Sequence, residues 1–152
     1  MAFFDVIFKQ NNSWIANVVK GAIYLKTHEV VVGAKGAHAD LLYLHEGGVP
    51  SRNIPPRPVL KPAMADPKVK RTVNGHMRKA MVQAMIKGDL KNAENELKQA
   101  GEAGVAACKK YITDGTNLAP NAPSTIARKG SSIPLIDTGA LLNSITYEIR
   151  GK

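Results

Sequence analysis

Residues 66–115, DPKVKRTVNGHMRKAMVQAMIKGD followed by LKNAENELKQAGEAGVAACKKYITDG, decide the fold. Asp66-Pro67 marks a helix start: the carboxylate can accept an exposed N–H, and proline lacks only a donor that the first turn would leave unused. Val69, Val73, Met77, Ala80, Met81 and Ala84 then recur at helical spacing as far as Gly88, a natural stop. Asp89 opens a second helix, with Leu90, Ala93, Leu97, Gly101, Gly104, Cys108 and Ile112 on one face and an end at Asp114-Gly115. Small residues at 100, 101, 103, 104, 106 and 107 let another backbone come close. Each internal glycine costs about 1 kcal/mol against alanine. Tight packing or an oligomer contact would offset that cost; an Ala-rich core helix is the plainer alternative.

Strand signals lie on either side of these helices. Thr27 to Gly33 contains Glu29-Val30-Val31-Val32 and is the clearest strand. Ser144 to Arg150 alternates Ile145, Tyr147 and Ile149 against Thr146, Glu148 and Arg150, the pattern of a half-buried strand. Phe3 to Lys9 reads as a further short strand. Ser13 can cap a short helix over Trp14 to Leu25, although the β-branched content there also suits a strand. Ala39 to Glu46 reads as a helical turn. Pro50, Pro55, Pro56, Pro58 and Pro62 then make a stiff, extended connector without regular structure until about Val59. The sequence thus predicts one α+β domain over residues 1–152, a small, mostly antiparallel β-sheet flanked by two long helices, with extended Pro-rich and C-terminal loops.

The chain has 152 residues, enough for one core. Aromatic residues make up 5%, so the core must be aliphatic, Met and Ala. The formal net charge of +9 suits a polyanion or an acidic partner, or simply keeps the protein dispersed. A single cysteine, Cys108, excludes an internal disulfide and a Cys-rich zinc site. Neither a signal peptide nor a membrane span is recognised, so a cytosolic origin is expected.

Chemical motifs are weak. Asp137-Thr138-Gly139-Ala140 has the form of the turn that supplies one carboxylate of a dimeric aspartic protease. That fold needs many strands after the turn, whereas 13 residues follow Gly139. Asp137 and Thr138 are instead expected to cap a short helix over Gly139 to Asn143. His45-Glu46 lacks the second histidine of a metalloprotease helix, since Val49 stands four residues on. Arg128-Lys129-Gly130-Ser131-Ser132 reverses the Gly-Lys order of a phosphate loop. No catalytic residue, cofactor or metal is expected. Lys61, Lys68, Lys70, Arg71, Arg78 and Lys79, and then Lys109, Lys110, Arg128 and Lys129, form loose basic clusters without interleaved aromatics. They read as a solvated face or as a nonspecific contact with phosphate.

Two segments carry a family resemblance. His45-Glu46-Gly47-Gly48 with Ile54-Pro55-Pro56-Arg57-Pro58-Val59-Leu60-Lys61-Pro62-Ala63 is one. The other is the run from Pro120 to Tyr147, PNAPSTIARKGSSIPLIDTGALLNSITY. In order and spacing they resemble the tail-completion proteins of tailed bacteriophages, also called neck, virion morphogenesis or minor tail protein Z-like proteins. The resemblance covers about residues 28 to 150. It departs at Gly47 and Val59, since the family has Phe-Gly after His-Glu where Gly47-Gly48 stands here, and Phe after Arg-Pro. It implies a non-enzymatic virion protein at the head-proximal end of the tail, assembled in the host cytoplasm as a homo-oligomer, a hexameric ring. Its implied partners are connector, terminator or tail-tube proteins, with nonspecific contact to genomic DNA in the channel and no membrane. A tail terminator or head-side stopper ring is the near alternative; a basic nonspecific DNA-binding protein and the dimeric protease are the distant ones. Within this reading Ile54, Pro55, Arg57, Pro58, Pro120, Asn121, Pro123, Thr125, Arg128 and Lys129 are expected at assembly interfaces. Arg57 and Lys129 serve there as polar anchors, unless Arg57 bonds locally to the proline-rich backbone.

Overall fold

Both helices expected between residues 66 and 115 form, and the remaining elements are arranged around the second. The computed structural model describes the backbone of residues 3–152 and the side chains from Ser13 onward. The element order is α1 (Phe3–Thr27), β1 (His28–Ala34), α2 (Ala37–Gly47), a 3₁₀ turn (Pro50–Arg52), α3 (Leu60–Ala65), α4 (Pro67–Met81), a π-turn (Val82–Ile86), α5 (Leu90–Asp114), α6 (Pro123–Lys129), α7 (Ala140–Ser144) and β2 (Ile145–Gly151). Asp66 accepts from the N–H groups of Lys68 and Val69 at 2.7 and 3.3 Å, and Asp89 from that of Asn92 at 2.9 Å. Gly88 and Gly115 close the two helical runs at φ +68 and +64.

β1 and β2 form a two-stranded antiparallel sheet, with Val30 opposite Ile149, Val32 opposite Tyr147 and Ala34 opposite Ile145. Its inner face lies on α5, and the small residues of that helix make this possible. A Cβ on Gly101 would sit 2.5 Å from the Tyr147 ring, and one on Gly104 would sit 2.9 Å from Val32 Cγ2. The small-residue face is therefore filled by the protein's own sheet, as tight packing requires. α4 runs along α5, where His76 Nδ1 meets Glu96 at 2.7 Å. Leu42, Val59, Ala63, Cys108, Ile112, Leu118, Leu141 and Ile145 make one aliphatic core cluster where α2, α3, α5, α7 and β2 converge.

Four expectations are corrected. Phe3 to Lys9 is helical and belongs to one long α1; Ser13 lies within that helix rather than at its start. Short apolar runs do not distinguish strand from helix, and no glycine or proline interrupts the chain before Gly21. Thr27 ends this helix, its hydroxyl donating to the Ile23 and Tyr24 carbonyls, and β1 begins at His28. Ala37–Gly47 is a helix of 11 residues rather than a turn. The C-terminal loop contains α6, with Pro123 in its first turn and Gly130 at φ +68 closing it. Proline at the start and glycine at the end are helix signals, which in a Ser- and Pro-rich stretch resemble loop composition.

Candidate functional site

The two segments that carry the resemblance meet in space. The connector leaves α2 through Gly48, at φ +70, where a Cβ would lie 2.6 Å from the Pro56 nitrogen. Val49 and Ile54 bond each other through both backbone groups, at 2.8 and 3.1 Å, across the 3₁₀ turn. The Arg57 N–H donates to the His45 carbonyl, and Glu46 Oε1 accepts from the N–H groups of Val59 and Leu60 at 2.7 and 2.6 Å. Glu46 thereby caps α3 from 13 residues away, placing a carboxylate where unsatisfied donors gather. His45-Glu46 thus works as a structural clamp on the connector.

Arg57 then reaches across to the C-terminal third. Its Nε donates to the Ala119 carbonyl at 2.7 Å and its Nη2 to the Pro120 carbonyl at 2.8 Å. The residue is 8% exposed, and burial works against its charge. The anchor role expected between subunits is therefore occupied within the chain: Arg57 bonds proline-flanked backbone, though more than 60 residues away. Lys129, the other expected anchor, donates from Nζ to the Ile133 carbonyl at 3.1 Å. Asn121 donates to the Ser132 and Ile133 carbonyls at 3.2 and 3.3 Å, so the loop that carries α6 is closed on itself.

Arg57 lies between two clefts. One, of about 510 Å³, is lined by Ile54, Pro55, Pro120, Asn121 and Thr125. The other, of about 390 Å³, takes His38, Leu41 and His45 from α2, Thr125, Arg128 and Lys129 from α6, and Leu135 with residues 137–141. Pro58 and Pro123 line neither; both are exposed on the same clasped segments. Of the expected caps, Thr138 accepts from the Ala140 N–H at 3.3 Å, with Gly139 at the cap position. Asp137 faces the second cleft instead, a correction that follows from Gly139 standing at φ +79 and turning the backbone ahead of α7.

Positive charge dominates this second cleft: Arg57, Arg128 and Lys129 stand against Asp137. The effect is felt at His45, whose imidazole is held below its ordinary value of 6.5 by burial first, then by Arg57 and Lys129. His45 Nδ1 is buried without a hydrogen-bond partner among the described residues. Leu135, at φ +62, brings a bulky side chain to the cleft wall in a conformation that L-residues rarely adopt. Sequence reasoning missed His38 and Leu41, whose helical spacing to His45 (i, i+3, i+7) becomes visible only once α2 is a full helix.

Among the described residues no group of three or more His, Cys, Asp or Glu side chains is placed to hold a metal ion. No described helix is long and apolar enough to cross a membrane. Comparison of the chain with protein-family models, curated proteins and solved structures finds no match.

Proposed function

We propose that this protein is a structural component of a tailed-bacteriophage virion, a tail-completion or neck protein that closes into a hexameric ring at the head-proximal end of the tail. The observation that carries the reading is the clasp. The two segments whose residues resemble the family are far apart in sequence, yet Arg57 ties the first to the Ala119 and Pro120 carbonyls at the start of the second, while Glu46 pins the connector that carries Arg57. Pro55, Pro58 and Pro123 are exposed on these segments, and stiff backbone loses little entropy on docking. Loops held on a firm scaffold are where binding residues gather.

Helix α1 supports the oligomeric part of the reading. Ile15, Val19 and Ile23, at i, i+4 and i+8, are 51, 51 and 57% exposed, an apolar stripe of the kind that packs against a neighbour. In a ring, identical head-to-tail contacts close on themselves. Connector, terminator or tail-tube proteins are the partners of such a ring, and +9 per subunit favours acidic surfaces or channel DNA. Negative-stain microscopy of the purified protein tests the reading. Closed rings are expected, and phage carrying Pro55→Arg with Thr125→Arg should yield unjoined heads and tails. A protein that stays monomeric at every concentration, with normal virions from the double variant, overturns it.

A further inference from the structure

The cleft beside Arg57 has a chemistry that the clasp itself does not use. Three cationic side chains reach it, Arg57 from the connector and Arg128 and Lys129 from α6, with one carboxylate, Asp137, among them. Two of the five Arg57 donors are taken by Ala119 and Pro120, which leaves three. Arg128 is exposed and has no ionic partner among the described residues. Thr125 adds a hydroxyl, and His38 and His45 stand on the α2 side.

We propose that this cleft binds a phosphate group, either a phosphodiester of a nucleic-acid strand or free phosphate with the same chemistry. Donors that approach from separate segments suit an anion with several acceptor oxygens, two non-bridging ones in a phosphodiester and more in free phosphate, and guanidinium groups bind such oxygens in pairs. At about 390 Å³ the cleft has room for a phosphate with part of a flanking sugar. It adjoins the Ile54–Pro55 cleft and shares Arg57, Asn121 and Thr125 with it, whereas Arg128, Lys129 and Asp137 line the phosphate cleft alone. The proposal deepens the neck reading, giving the ring a point of contact with DNA, but the site itself can be tested on any oligomeric state.

Titration with inorganic phosphate, followed through the imidazole resonances of His38 and His45, tests the site. The groups that face His45 are Arg57 and Lys129, with Arg128, Asp137 and His38 on the same cleft. A bound anion offsets the two cations, so the His45 midpoint should rise on saturation, and Arg128→Glu should abolish the rise. A single-stranded oligonucleotide separates the sources. If the phosphodiester is the ligand, Arg128→Ala weakens binding about tenfold, as loss of a charged hydrogen-bonding group does. Lys70→Ala, on exposed α4, should change it by less than about twofold, since a distant charge contributes only through the screened field. Phosphate binding that depends on Arg128, without oligonucleotide binding, assigns the site to free phosphate. A His45 midpoint unmoved by phosphate, equal losses in Arg128→Ala and Lys70→Ala, or binding of an acidic peptide in place of phosphate each overturn the proposal. Light scattering on the same samples reports assembly, so a monomer that binds phosphate counts against the neck reading and not against the site.

Discussion

Arg57 stands among four of the prolines and between two clefts, and its fork makes the long-range bonds of the clasp. Arg57→Lys keeps the charge but cannot reach both carbonyls with one ammonium group. It should lower stability by about 1–3 kcal/mol, read from the denaturant midpoint at unchanged slope. His45 gives a pH signature. Its folded imidazole is held below 6.5, so the unfolded chain binds the proton first as pH falls. Stability is therefore unaffected above about 6.5 and declines from there down to the folded midpoint. His45→Gln should flatten thermal midpoints over that window relative to the wild type; parallel curves would contradict the account. Cys108 is fully buried, and burial, with Glu46 adding to it, pushes its thiol up to about 11. Its labelling by a thiol reagent near neutral pH should follow global opening rather than surface access.

At the scale of elements, the close fit of α5 to the sheet makes Gly101 a sensitive helical position. Gly101→Ala improves helix propensity yet drives a methyl group into the Tyr147 ring. A loss of about 1–3 kcal/mol is expected in thermal or denaturant melts, where an isolated helix would gain. The helices that could be read from sequence were those with their own punctuation: Asp66-Pro67 and Asp89 at the starts, Gly88 and Gly115 at the ends. β2 was legible because Ile145, Tyr147 and Ile149 alternate cleanly. The start of α1 was not, because residues 3–9 hold apolar residues at spacings that suit both periods. Ten site residues were named, and the structure gathers eight of them around two clefts. What the sequence could not convey is that Arg57 would spend its hydrogen bonds on Ala119 and Pro120, since long-range pairing leaves no mark on local pattern.

At the scale of the molecule, assembly is open to a direct test. Charging the α1 stripe with Ile15→Asp and Ile23→Asp removes no buried group, so the fold should persist by circular dichroism. Light scattering should nevertheless report monomers if that stripe lies between subunits. Tyr147, finally, sets a timetable for biosynthesis. It is added 46 residues after the Gly101 that it covers. At ordinary ribosomal rates that leaves the groove of α5 open for about 2–9 s. During that interval the growing chain presents a bare, small-residue helix face to its surroundings, and chaperone dependence of its yield should track the speed of translation through residues 102–147.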